Sequence, residues 1–222
     1  MIYFNGNTKG GDFSMKGMFI TVEGCDGAGK STQVGLIGKY LKEKGISPLM
    51  IREPGGTPIS EKIREIILDK KNSEMANMTE VLLYAASRAQ LVDEVIIPEL
   101  KRGRIIVCDR FLDSSIAYQG FGRGISVKAI EEINSFATAG VCPDLTIYLD
   151  ITPEMSFRRK SLMSEAPDRI EAEKLEFHQN VYTGYKYVAE KHPQRVFCVN
   201  AAQDVEKVFE DIKKRLDLIF NV

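Results

Sequence analysis

From Met18 onward, short apolar runs alternate with longer amphipathic stretches. That alternation predicts strands joined by crossover helices in a parallel sheet, an α/β architecture. The expected strands cover 18–23, 48–52, 104–109, 145–150 and 196–200. Their near-continuous apolar character suits strands buried on both faces. Helical periodicity fills the gaps, and its longest run covers 79–100. Here Val81, Leu82, Ala85, Ala86, Ala89, Val92, Ile96 and Leu100 form a stripe wide enough to serve either the core or a helix-to-helix dimer contact.

The chain has 222 residues, 44% of them hydrophobic, enough for one substantial core and too few for two ordinary domains. The expectation is a single domain over 17–222. The segment 1–16 is rich in Gly and Asn without periodicity and is expected to be a disordered leader. A formal net charge of −1 gives no global signature of a nucleic-acid or membrane binder, so any phosphate chemistry must be local. No apolar run approaches the roughly 20 residues of a membrane span. The four cysteines, Cys25, Cys108, Cys142 and Cys198, are widely spaced with no CxxC pair. They read as buried or half-buried thiols in a soluble, cytoplasmic protein rather than as a zinc site or disulfide framework.

The sharpest motif is Gly24-Cys25-Asp26-Gly27-Ala28-Gly29-Lys30-Ser31, placed between a predicted strand and a predicted helix over 31–44. It satisfies the P-loop pattern in the context that pattern requires. The glycines let backbone N–H groups turn inward around phosphate oxygens, and the helix N-terminus adds a favourable dipole. Lys30 is then expected to reach the β/γ-phosphates of a bound nucleotide and Ser31 to ligate Mg²⁺. The fold class becomes a three-layer sandwich of the P-loop NTPase type, with five parallel strands flanked by helices.

The apolar run Ile105-Ile106-Val107-Cys108 ends in Asp109-Arg110, placing a carboxylate at the edge of the sheet where ligands of open α/β folds bind. Asp109 therefore reads as a Walker-B acid. Arg52-Glu53-Pro54-Gly55-Gly56-Thr57 marks a tight loop after a strand, with Arg64 in the next helix. Tyr84 and Arg88, four apart on one helix, share a face on which a planar base would stack and be read, or else form an ordinary packed pair. A charged stretch over 158–169, broken by Pro167, is the candidate lid. No guanine-reading Asn-Lys-x-Asp segment is present.

Over nearly the whole span from Met18 to Phe220 the chain resembles the bacterial thymidylate kinases. The matching segments are Val22-Glu23-Gly24 with the P-loop, Arg52 to Thr57, Ala85-Ala86-Ser87-Arg88, Asp109-Arg110-Phe111, Asp113 to Gly120, and Pro143-Asp144-Leu145-Thr146. The resemblance implies an ATP- and Mg²⁺-dependent kinase that phosphorylates dTMP to dTDP. ATP would be held by Gly24, Cys25, Asp26, Gly27, Ala28, Gly29, Lys30, Ser31 and Thr32, with Mg²⁺ on Ser31 and Asp109. The dTMP site would draw on Glu53, Pro54, Arg64 and Arg110, the two arginines taking the acceptor phosphate. Tyr84 would stack the base, where the family usually has Phe, and Arg88, Ser115 and Gln119 would read its edge. Asp26 would accept from the 3′-hydroxyl, and Tyr118 would press on the sugar where a 2′-hydroxyl would lie.

The resemblance further implies a homodimer through the helix around 79–100. Phe111 stands where the family commonly has Tyr or His. The P-loop carries no arginine, which resembles the bacterial type whose lid supplies the catalytic cation, although Glu165 is acidic where some relatives are basic. Arg159 is the expected cation, with Arg169 second and Arg158 and Lys160 as further candidates. The catalytic set is accordingly Lys30, Asp109, Arg110 and Arg159.

Overall fold

A computed structural model describes residues 17–161 and 167–220. The expected leader, 1–16, and the centre of the expected lid, 162–166, lie outside the described residues. Five parallel strands form one sheet in the order β2-β3-β1-β4-β5: β1 (Met18–Glu23), β2 (Leu49–Arg52), β3 (Ile105–Asp109), β4 (Leu145–Asp150) and β5 (Val196–Asn200). Each agrees to within a residue with its expected range. The apolar runs are legible because helices cover both faces.

Alternate residues of the central strand serve opposite layers, as the two-residue period requires. Ile20 and Val22 pack with Ile37 and Leu41 of α1 (Lys30–Glu43) and with Val208, Ile212 and Leu216 of α9 (Val205–Phe220). Phe19 on the other face meets Leu91 of α3 (Asn77–Leu91), together with Ile96 and Phe111. Each fully buried Ile, Leu or Phe of this kind contributes roughly 1.5–3 kcal/mol.

The long helix expected over 79–100 is three segments in sequence: α3, a π-helical turn Val92–Ile96, and α4 (Ile97–Lys101). Pro98 has no N–H for the helical ladder, and the wider turn immediately before it absorbs that defect. Its apolar stripe divides between two faces. Val81, Ala85, Val92 and Ile96 are buried, whereas Leu82 and Ala86, with Met78 and Ala89 on the same side, are exposed. A second π-helical segment, Ile116–Gly122, follows α5 (Leu112–Ser115) and packs against α8 (Leu175–Lys191). Of the four thiols, Cys25 and Cys108 are buried as expected, but Cys142 and Cys198 are exposed. Cys142 lies in the loop before β4, and Cys198 lies on an edge strand.

Candidate active site

The parallel registers bring the carboxyl ends of the strands together: Val22 and Arg52 both lie opposite Asp109, and Glu23 lies opposite Tyr148. At that edge β1 turns through the P-loop into α1. Gly29 caps α1 in the left-handed conformation (φ 92°), and Gly27 also has φ 83°. A Cβ on Gly27 would sit 2.9 Å from the carbonyl oxygen of Ser156, so both the torsion and the close approach of the next layer require glycine there. Lys30 folds along the loop and donates from Nζ to the carbonyls of Gly24 (3.1 Å) and Cys25 (2.9 Å). Ser31 Oγ donates to Asp109 Oδ2 at 3.3 Å, which joins the P-loop to the end of β3.

A cleft of about 430 Å³ runs from this loop to an inner pocket. Asp26, Gly27, Gly29, Lys30, Ser31, Thr32 and Asp109 line one end. Glu53, Pro54, Arg64, Tyr84, Arg88, Ser115, Tyr118 and Gln119 line the other. The side chains of Cys25 and Ala28 lie behind the loop in the core. Burial pushes the Cys25 thiol up to about 12, so it stays neutral.

Arg110 stands between the two ends. Its backbone adopts φ 68°, a conformation that costs a non-glycine residue roughly 1–3 kcal/mol and persists only where the surroundings enforce it. Those surroundings are hydrogen bonds from Arg110 N to Val22 O (3.0 Å) and from Phe111 N to Glu23 Oε1 (2.7 Å). The guanidinium donates to Gly24 O (2.9 Å), Tyr185 Oη (2.9 Å), Tyr118 Oη (3.0 Å) and Ser114 Oγ (3.2 Å), and pairs with Asp26. Burial alone would raise the Asp26 carboxyl, but Arg110 and Lys30 outweigh it and hold the group well below the usual carboxylate range. Tyr118 donates to the other Asp26 oxygen at 2.8 Å.

Arg88 is fully buried in the pocket floor. Its Nε lies 2.7 Å from Glu53 Oε1 and its Nη2 3.1 Å from Glu53 Oε2, while Nη1 donates to Asn134 Oδ1. The guanidinium sits 5.4 Å above the Phe111 ring, which packs edge-on against Phe19. Phe111 is therefore part of the core beneath Arg88, and its backbone N–H is held by Glu23. A cis peptide bond joins Glu53 and Pro54, and the Pro54 carbonyl accepts from Arg64 Nη1 at 3.0 Å.

The segments that flank 162–166 differ from the sequence expectation. Arg159, the cation expected to act, does not line the cleft. Its Nη2 donates to Gln203 O at 3.2 Å, toward α9. Lys160 lines the cleft instead and pairs with Glu171. Both belong to α7 (Pro153–Lys160), where neighbours point about 100° apart, so only one of them faces inward. Arg169, the second candidate, is buried, with Nη2 on Glu80 Oε2 (2.7 Å) and Nε on Ile67 O (2.7 Å).

Several site-forming residues had no site role in the sequence reading. Glu23 had a faint signal, an acid closing an apolar strand. Glu80, Asn134 and Tyr185 had none, since their role arises only from contacts across the fold.

A P-loop at the first strand, an acid at the end of the neighbouring strand and one cleft running inward from the loop define a P-loop nucleotide-binding α/β protein. Comparison with known proteins narrows this class. The thymidylate kinase family model matches residues 22–212. The chain is 50% identical over 199 residues to the thymidylate kinase of Clostridium novyi, covering 89% of this chain and 97% of that one. It is 50% identical over 196 residues to that of Lactobacillus delbrueckii subsp. bulgaricus, covering 87% and 92%. The crystal structure of thymidylate kinase from Ehrlichia chaffeensis superposes with a TM-score of 0.73 at 33% identity, covering 90% of this chain and 98% of that one. The chain belongs to the thymidylate kinase family.

Proposed function

We propose that the protein transfers the γ-phosphoryl group of ATP to dTMP, yielding ADP and dTDP. Family membership supports the reaction, and Arg110 is the observation that carries it to this site. Its backbone is strained and its guanidinium fully oriented between the P-loop and the inner pocket, where two polyanions must meet. An acceptor phosphate oxygen attacks Pγ, the bond from Pγ to the β,γ-bridging oxygen breaks, and ADP leaves. The acceptor is already anionic near neutral pH, so no general base is required. The chain's work is positioning and charge neutralisation.

In this reading Lys30 and the P-loop hold the donor phosphates, and Arg64 with Arg110 hold the acceptor phosphate. Tyr84 stacks the base, Arg88, Ser115 and Gln119 read its edge, and Asp26 with Tyr118 contact the deoxyribose. Lys160 supplies the lid charge. The hydroxyl of Ser31 and the carboxylate of Asp109 are adjacent hard oxygen donors at the cleft, and no cluster of three or more metal-binding side chains occurs among the described residues. That suits Mg²⁺, which takes few protein ligands and completes its shell with phosphate and water. When bound, it would neutralise charge on the donor phosphates.

We further read the protein as a cytoplasmic homodimer. No described helix is long and apolar enough to cross a membrane. The exposed Met78 and Leu82 on α3, with Phe136 of the adjacent α6 (Val127–Ala137) 88% exposed, offer an apolar face to a second copy. The substrate reading is tested by steady-state transfer to a panel of monophosphates. dTMP should give the highest kcat/KM, and comparable values for CMP or AMP would refute it.

A further inference from the structure

Glu80 does not line the cleft, yet it organises one wall of it. Its side chain is 1% exposed and its carboxylate receives four hydrogen bonds from three residues. Arg123, just past the π-helical segment 116–122, donates from Nε to Oε1 (3.2 Å) and from Nη2 to Oε2 (3.0 Å). Arg169, on the far side of the lid, donates from Nη2 to Oε2 (2.7 Å). Gln119 donates from Nε2 to Oε1 (3.0 Å). With two guanidiniums on it the carboxylate stays ionised, although burial opposes this, and its carboxyl lies below the usual range. An ionised carboxylate only accepts hydrogen bonds. The chemistry therefore fixes the Gln119 amide one way round, nitrogen toward Glu80, and leaves the carbonyl oxygen as the pole Gln119 offers to the cleft it lines.

We propose that Glu80 is a specificity-determining positioning residue, which by orienting Gln119 makes the pocket accept a pyrimidine carrying hydrogen at N3. The inference rests on the thymidylate reading above. Arg88 can only donate, and so takes the 4-oxygen of thymine. The adjacent N3–H then needs an acceptor, which the oriented Gln119 carbonyl supplies. Cytosine presents the reverse pattern, an amino group at C4 and a lone pair at N3, and leaves both protein groups unpaired. Polar sites discriminate most strongly when the wrong ligand leaves their buried groups without partners. Because Arg169 anchors the far side of the lid on the same carboxylate, the base-reading wall and that anchor share one fixed point.

Glu80→Gln removes the constraint, since a neutral amide can present either pole to Gln119. The kcat/KM ratio of dTMP to dCMP should fall by about tenfold, mainly through a higher KM for dTMP, with kcat at saturation changed by less than about threefold. Glu173→Gln breaks the ion pair between Arg123 and Glu173 without touching Gln119, and should leave the ratio unchanged. In a Gln119→Ala background, Glu80→Gln should no longer alter it. If Glu80→Gln does not fold, Glu80→Asp keeps the negative charge but shortens its reach to Gln119 as well as to the arginines, and the same loss of discrimination is expected. Equal losses on both substrates, or a change in the ratio that persists without Gln119, would overturn the proposal while leaving the thymidylate reading intact. A parent enzyme with no preference for dTMP over dCMP would overturn both.

Discussion

Glu23 Oε1 accepts the backbone N–H of Phe111 at 2.7 Å, so the last residue of β1 pins the left-handed kink that aims Arg110 into the cleft. Its other oxygen accepts from Ser114 Oγ (2.6 Å) and Tyr185 Oη (3.0 Å), two of the hydroxyls that contact the Arg110 guanidinium. One buried carboxylate thus sets both the backbone and the side chain of the residue assigned to the acceptor phosphate.

The same burial makes Glu23 a source of pH dependence. Desolvation, with Asp113 adding to it, raises the carboxyl from 4.5 to about 7 against the opposing pull of Arg110. The folded chain therefore keeps this proton through a window in which the unfolded chain has lost it. The stability contribution is full below 4.5 and lost as pH rises through about 7. Glu23→Gln should flatten the corresponding fall in unfolding free energy. Denaturant titrations at about pH 5 and about pH 8 measure it, and an unchanged difference between the two pH values would show that the dependence arises elsewhere.

Lys30 is 8% exposed, with its ammonium against the P-loop carbonyls. Burial and the nearby Arg110 lower its pKa, but Asp26 and Asp109 oppose that shift. In the proposed reaction it places positive charge beside the moving phosphoryl group. Removing such a stabiliser typically costs about 3 kcal/mol, so Lys30→Ala should reduce kcat by on the order of 10² or more. Full turnover by a folded Lys30→Ala protein would remove Lys30 from the mechanism.

The strands and the P-loop were legible because their signals are local. Strands buried on both faces read as apolar runs, and the loop needs its glycines and lysine at fixed spacing. Asp109 was legible from its place at the end of such a run. What stayed hidden depends on distant partners. Arg123 and Arg169 lie 43 and 89 positions from Glu80, and Asn134 lies 46 from Arg88. No periodicity encodes those meetings. The stripe over 79–100 was seen as one surface, but Val81 and Leu82 point to different neighbours, and only the packing of α6 and the sheet decides which is covered.

That division supports the dimer reading and gives it a test. Leu82 is 53% exposed on α3. If the face covers a second copy, Leu82→Arg should bury an unpaired charge there and shift the protein to monomers in sedimentation velocity, with little change in its thermal unfolding as a monomer. Phe136→Glu should act in the same direction. A parent protein that sediments as a monomer at micromolar concentration would refute the dimer.

Helix α7 separates two neighbouring cations by geometry. With no arginine in the P-loop, charge on the transferring group needs a cation from elsewhere, and lids close over phosphates for that purpose. Lys160 lines the cleft, paired with Glu171, while Arg159 is turned about 100° away toward the Gln203 carbonyl. Arg169 is fixed on Glu80 and Ile67, which suits an anchor better than a moving charge. If Lys160 acts in the transition state, Lys160→Ala should lower kcat and kcat/KM together while leaving equilibrium binding of dTMP and ATP nearly unchanged. Arg159→Ala should do less, and Arg169→Ala should lower thermal stability as well as activity, because it leaves Glu80 short of a partner. Single-turnover transfer, equilibrium binding and thermal unfolding on the three variants decide it. Parent-rate transfer by Lys160→Ala together with a large loss in Arg159→Ala would pass the role to Arg159.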